Sequence, residues 1–176
     1  MKFVVILHNI RSAYNVGACF RTADGAGVEK IYLTGYSACP YFAQTRNEIK
    51  LPHLTKAQRE LAKTALGAEK NILWEKHKRL APILKQLKKE GFEIVALEQS
   101  DESIDYRDYK VLDNKGRKVA LLAGNEVRGV DKKILKQCDK IIEIPMRGKK
   151  NSLNVSVAFG IASFEIAGKM GRTAST

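Results

Sequence analysis

Cysteine is scarce and scattered in this chain. Cys19, Cys39 and Cys138 are odd in number, far apart and never in a CxxC pair. That pattern excludes a disulfide framework and a thiolate zinc site, and it points to a reducing compartment, the cytoplasm. Histidine is as sparse: His8, His53 and His77 form no HExxH or similar pair, so no metal is expected. Long apolar runs are missing too. The VVIL of MKFVVILHNIRS is too short for a signal-peptide core, and no stretch approaches the ~20 residues of a membrane span. Acidic residues are in deficit, 19 against 31 Lys+Arg, for a net charge of +12. A surface so charged attracts polyanions, nucleic acid foremost.

Several nucleotide-handling loops are also absent. The first apolar run, FVVILH, is followed by NIRSAYNVG rather than by GxGxxG, which excludes the dinucleotide fingerprint and the common methyltransferase loop. The glycines of ADGAG at 23–27 sit between a predicted helix and a predicted strand, where turn punctuation explains them. There is no GxxxxGK[ST] and no GxSxG, so neither a P-loop nucleotidase nor a serine hydrolase elbow is encoded.

What is present is an alternation of strand and helix over 176 residues, enough for one domain with a core of its own. Strands are predicted at 3–8, 30–35, 92–98, 119–124 and 140–145, and a helix at 15–26. Thr55 and Gln58 form a capping box for a helix that Gly67 would end. Leu80, Ile83, Leu84 and Leu87 line one face of another, with Pro82 in its first turn. A long, largely buried helix is predicted from Leu153 to Lys169. The alternation implies an α/β fold with a mainly parallel sheet flanked by helices. Residues 36–90 hold twelve Lys+Arg and five Glu, hence +7 of the net charge. The stretch, with Lys85, Lys88 and Lys89, is expected to face nucleic acid.

Three polar islands interrupt the apolar pattern: NVGACFRTA at 15–23, GNEVRG at 124–129 and NSLNVSVA at 151–158. Each lies beyond a predicted strand, at the sheet edge where open α/β folds place ligands. As an N-cap, Asn15 would order the first helical turn and leave its amides for an anion. Arg21, among small and apolar neighbours, is expected to be half-buried and to need a carboxylate or a phosphate, with Glu126 the obvious protein partner. Ser152 and Asn154 bracket Leu153 where the final helix starts, one polar residue more than a cap requires.

In order and spacing the islands resemble the three motifs of the SpoU (TrmH) branch of the SPOUT RNA methyltransferases. The matching residues are N-x-G-x-x-x-R-T-A at Asn15–Ala23, G-N-E-x-x-G at Gly124–Gly129 and I-P-M-x-G-x-x-x-S-L-N-V-S-V-A at Ile144–Ala158. The resemblance covers essentially the whole chain as a bare catalytic domain, 1–176, with no separate N-terminal RNA-binding domain. It implies a sheet whose C-terminal part is threaded into a deep trefoil knot. It also implies S-adenosylmethionine held mostly by backbone groups of Gly124, Ile144, Met146 and Leu153. The reaction implied is methyl transfer to a ribose 2′-hydroxyl of tRNA or rRNA, with Asn15, Arg21, Glu126, Ser152 and Asn154 as functional residues. Arg11, Lys149 and Lys150 are the cations expected beside the RNA. A non-catalytic RNA-binding or assembly protein that keeps the fold is the alternative.

The resemblance also implies a homodimer, with the site near the subunit interface. On the final helix, Val157, Ile161, Phe164 and Gly168 form one stripe and Phe159, Ala162 and Ile166 a second. One stripe is expected on the sheet and one on a partner copy, with Phe159 and Ile166 taken as the partner-facing side.

Overall fold

The computed structural model describes residues 1–41, 54–111 and 116–171. His53, part of the basic 36–90 stretch and the last five residues therefore lie outside the described residues. Among the described residues, seven strands form one parallel sheet in the order β3-β2-β1-β6-β4-β7-β5. The strands are β1 (Lys2–His8), β2 (Lys30–Thr34), β3 (Leu73–His77), β4 (Glu93–Leu97), β5 (Ile104–Asp105), β6 (Lys118–Ala123) and β7 (Lys140–Glu143). The helices are α1 (Ala13–Gly25), α2 (Lys56–Ala65), α3 (Ala81–Lys89), α4 (Lys132–Leu135) and α5 (Val155–Gly171).

Strand geometry sends alternate side chains to opposite faces, and both faces of the central strands are covered. Val5 and Leu7 of β1 and Leu121 of β6 meet Val16 and Phe20 of α1 and Phe159 and Ile166 of α5. Val4, Ile6 and Leu122 meet Leu84 and Leu87 of α3 and Leu135 of α4 on the other side. Each such side chain removed from water contributes about 1.5–3 kcal/mol.

The first helix begins two residues before the predicted start. Ser12 is its N-cap, its hydroxyl accepting from the Asn15 amide at 3.3 Å. Asn15 thus lies within the first turn instead of capping it. The capping box of α2 forms with both reciprocal bonds, and its C-cap is Leu66 in the left-handed region, followed by Gly67 in the same region. Helices α1 and α2 pack closely at Gly17. A Cβ there would collide with the Leu61 carbonyl oxygen and with Thr64 Oγ1, which donates to the Tyr14 carbonyl at 2.8 Å.

Two elements differ from expectation, β3 and α5. Strand β3 lies in the basic 36–90 stretch, where no strand is predicted. It is an edge strand, with Leu73 exposed and charge on Glu75 and Lys76, and charged edges of this kind lack the apolar alternation that marks inner strands. Helix α5 starts at Val155, because Asn154 caps it. Its two stripes are also exchanged. Phe159 and Ile166 are buried in their own core, whereas Val157 and Phe164 are 51% and 56% exposed.

Because β1 leads to α1 on one face of the sheet and β6 leads to α4 on the other, the chain leaves these adjacent strands in opposite directions. That divergence opens a crevice at their C-terminal ends. The strand order sets the loops after β4 and β7 beside it.

Candidate active site

The three islands meet at this crevice. Glu126, in the loop after β6, reaches across to the start of α1. Its Oε2 accepts from the Arg11 amide at 2.7 Å, and its Oε1 accepts from the Ser12 amide and from Asn15 Nδ2, both at 3.0 Å. A carboxylate at a helix N-terminus satisfies orphan amides and meets the positive end of the helix dipole. Burial pushes the Glu126 carboxyl up, but these hydrogen bonds outweigh it and hold the group below its ordinary value. Asn15 continues the chain of contacts: its Oδ1 accepts from Asn154 Nδ2 at 3.2 Å. Asn154 in turn accepts the Ser156 amide and hydroxyl on its own Oδ1, capping α5. Glu126, Asn15 and Asn154 are therefore one polar chain that joins the three islands.

Beside this chain lies an open cleft of about 360 Å³. Its walls come from the loops after β4, β6 and β7, and all of Gly124, Glu126, Ile144, Met146, Ser152 and Leu153 line it. Two glycines shape the walls. A Cβ on Gly124 would strike Val130 and the Gly129 backbone, and one on Gly129, at φ +64°, would strike the Glu98 carboxylate. Glu98 accepts from the Val130 amide at 2.7 Å and the Gln99 amide at 3.0 Å, while Gln99 Nε2 donates to the Asn151 carbonyl at 2.8 Å. The loop after β7 is thereby fastened to the loop after β4.

Arg21 stands elsewhere. It is exposed, and among the described residues it has no ion pair with Glu126, whose oxygens the α1 terminus already occupies. The expected half-buried Arg21–Glu126 pair is thus corrected. Arg21 lies two turns along α1 from Tyr14, on a face with Ala18 and Gly25 that points outward. Neither Arg21, Asn15 nor Asn154 lines the cleft of its own chain. Arg11, Lys149 and Lys150 are exposed, the first where α1 begins and the others in the loop that supplies Met146 and Asn151. Lys85, Lys88 and Lys89 lie on α3, which leads into β4. Lys88 pairs with Asp139 just ahead of β7, at the sheet edge away from the cleft.

Asn125 carries no assignment from the sequence, yet it organises the second island. It is 8% exposed and fully bonded, Nδ2 to the Asn9 carbonyl at 2.9 Å and to the Tyr36 hydroxyl at 2.7 Å, Oδ1 from the Val127 and Arg128 amides. An asparagine closing an apolar strand just after glycine is the signal that would have marked it. Glu98, Gln99 and Glu143 were also missed, since nothing local distinguishes them. Burial pushes the Cys19 thiol far up, helped by the Glu126 charge, and pulls His8 down, so neither is an ionised group at neutral pH. Among the described residues no three of His, Cys, Asp or Glu gather as a metal site, and no helix is long and apolar enough to cross a membrane.

Known proteins resemble this chain over most of its length. The tRNA (guanosine(18)-2′-O)-methyltransferase of Aquifex aeolicus is 33% identical over 162 residues, 92% of this chain and 67% of that protein. The 23S rRNA (guanosine-2′-O-)-methyltransferase RlmB of Escherichia coli is 31% identical over 163 residues, 93% of this chain and 58% of that one. Among solved structures, the AdoMet-bound rRNA methyltransferase from Sinorhizobium meliloti has a TM-score of 0.79 at 26% identity, covering 98% of this chain and 57% of that chain. The chain thus spans 58% of the length of the Escherichia coli relative and 57% of the solved one. The family pattern itself runs over residues 2–164, nearly the full chain, and the chain belongs to the SpoU rRNA Methylase family.

Proposed function

We propose that this protein transfers a methyl group from S-adenosylmethionine to a ribose 2′-hydroxyl of tRNA or rRNA, in the cytoplasm and as a homodimer. The observation that carries the reading is the polar chain Glu126–Asn15–Asn154 set at the rim of a small-molecule cleft. The two curated relatives, one named for tRNA and one for 23S rRNA, share the 2′-O position and differ in the RNA, which supports the chemistry and leaves both RNA classes open.

The cleft fits the cofactor on its own chemistry. In a chain of net charge +12, its lining carries Glu98, Glu126 and Glu143 against the single cation Arg128. A negative wall suits a sulfonium and repels a polyphosphate. Leu97, Ile144, Met146, Leu153 and Val155 supply the apolar surface that a flat heterocycle needs. Gly124, Ile144, Met146 and Leu153 are the residues assigned to hold it, and when bound it supplies an already activated methyl.

The remaining work falls to side chains. A ribose hydroxyl is a weak nucleophile, and its oxygen gains negative charge as it reacts. Arg21 is assigned to that charge and to the adjoining phosphate. A guanidinium is never deprotonated at neutral pH, so its contribution is electrostatic rather than that of a general base. Asn15, Ser152 and Asn154 orient the ribose, and Glu126 fixes Asn15.

The place of Arg21 supports the homodimer. Exposed Phe164 of α5 adjoins Gly25 of α1, whose face also carries Tyr14 and Arg21, and exposed Val157 lies seven residues earlier on the same stripe of α5. Joining this patch to its two-fold copy would cover it and set Arg21 at the subunit boundary. The reading also includes the trefoil knot. It is supported by the return of the chain after β7, past the loops following β4 and β6, to place α5 on α1.

The test is incubation of the purified protein with methyl-labelled S-adenosylmethionine and with tRNA or rRNA, followed by alkaline hydrolysis. The expected label resists cleavage as a 2′-O-methyl dinucleotide. Label confined to bases, or none in either RNA, would overturn the reading. Arg21→Ala is expected to abolish transfer while cofactor affinity stays within about threefold, under ~0.7 kcal/mol. Arg21→Lys is expected to fail as well, since a point charge lacks the guanidinium fork.

A further inference from the structure

Tyr36 is an exposed aromatic residue anchored at its amide and at its hydroxyl. It follows Gly35, which ends β2 with φ +65°, a conformation suited to glycine, and whose added Cβ would strike Asn9 Oδ1. The Tyr36 amide donates to that same Asn9 oxygen at 3.2 Å. Ser37, next in sequence, is buried and bridges the Leu7 carbonyl and the Ile10 amide, both at 2.9 Å. Lys76 Nζ ties down the Gly35 and Ser37 carbonyls. At the far end of the side chain, the phenol oxygen accepts from buried Asn125 Nδ2 at 2.7 Å. The residue therefore spans from the end of β2, past β1, to the loop after β6, two strand spacings or about 10 Å. Yet 59% of it is exposed.

A tyrosine whose hydroxyl is anchored to a buried amide and whose ring is left in water offers an oriented π surface. Its surroundings say for what. Arg11, Lys78, Arg79 and Arg128 are exposed in the loops at this edge of the sheet. The nearby carboxylates Glu98 and Glu126 are engaged by backbone amides. Cations around a fixed aromatic face match a single-stranded nucleic acid, whose phosphates meet the charges while a base lies on the ring. Asn125, which positions the ring, is adjacent to Glu126, which positions Asn15. The ring and the proposed ribose site are thus two sides of one loop.

We propose that Tyr36 is a stacking platform for an unpaired base of the RNA substrate, fixed in place by Asn125. This rests on the RNA methyltransferase reading above. The experiment measures binding of fluorescein-labelled bulk tRNA and ribosomal RNA fragments to wild-type protein and to Tyr36→Phe, Tyr36→Trp and Tyr36→Ala across a salt series. Binding of S-adenosylmethionine to each variant is measured in parallel by calorimetry. Tyr36→Ala is expected to raise the RNA dissociation constant about tenfold or more. The slope of log affinity against log salt should not change, because no phosphate contact is lost. Cofactor affinity should also hold. Tyr36→Trp should bind as wild type, and Tyr36→Phe, which keeps the ring and loses only the Asn125 bond, should lose less than half of the effect in logarithmic terms. RNA affinity within twofold of wild type for Tyr36→Ala would overturn the proposal. So would equal damage from Tyr36→Phe and Tyr36→Ala, which is the signature of a merely structural bond. Failure of the wild-type protein to bind any RNA would overturn the functional reading itself, and the two failures are read from different samples.

Discussion

Replacing Glu126 by glutamine keeps the shape of the side chain and removes its charge. One carboxylate oxygen now accepts two donors, Ser12 N–H and Asn15 Nδ2, and the other accepts Arg11 N–H. A glutamine can serve the first pair with its carbonyl, but its NH₂ then faces the Arg11 amide, donor against donor. The loss is one charge-assisted hydrogen bond, about 1.5–3 kcal/mol if fully buried, plus weakening of two others. Glu126 is half-buried and water reaches it, so the expected destabilisation is about 1–2 kcal/mol. For a chain of this size that is a fall in Tm of about 2–8 °C. The pH dependence separates this cause from general damage. Because the folded carboxyl titrates below its ordinary 4.5, its stabilisation is complete above pH 4.5 and is lost as pH falls through the lower folded value. Urea titrations of wild type and Glu126→Gln should therefore differ by the full amount at pH 7 and converge toward pH 3. A difference under about 0.3 kcal/mol at pH 7, or one that does not shrink in acid, would refute the assignment.

Two further outcomes are expected. Gly17→Ala should destabilise the fold by about 1–3 kcal/mol in urea denaturation, because the new methyl collides with the α2 backbone at Leu61 and pushes the helices apart; an unchanged midpoint would show that α2 can retreat freely. Phe164→Glu and Val157→Glu should leave a folded protein that sediments as a monomer and lacks activity, whereas Phe159→Glu should unfold it, since that side chain is fully buried; a stable Phe164→Glu dimer would remove this face from the interface.

Much of the sheet was legible because its inner strands are buried on both faces. FVVILH, FEIVAL and VALLA read as strands with no tertiary information. The edge strand at Leu73–His77 was not, because an edge bears charge and one exposed face. The islands were legible as a set, and the structure joins Asn15, Glu126 and Asn154 directly. What local sequence could not supply was direction. Small neighbours around Arg21 suggested burial, but α5 crosses α1 at Thr22, one step round the helix, where Gly160 lets it approach, and Arg21 itself looks outward. The stripes of α5 were both apolar, so periodicity found them and could not say which faced inward. Asn125 looked like one polar residue of a motif until its four bonds appeared.

The hydrogen bonds of Asn15 also bear on when the site exists. Its partners lie 111 and 139 residues further along the chain. During synthesis, α1 is made almost at once, but the residue that completes its polar chain emerges only with the last helix. Closing a loop that long costs about 4 kcal/mol of chain entropy beyond a constant, to be offset by packing of α5 on α1. Site formation is thus an event of large sequence separation, and such events are slow. A ribosome-bound chain whose α5 has not yet emerged would lack the Asn15–Asn154 bond, so the polar chain that joins the three islands cannot close before that helix has left the tunnel.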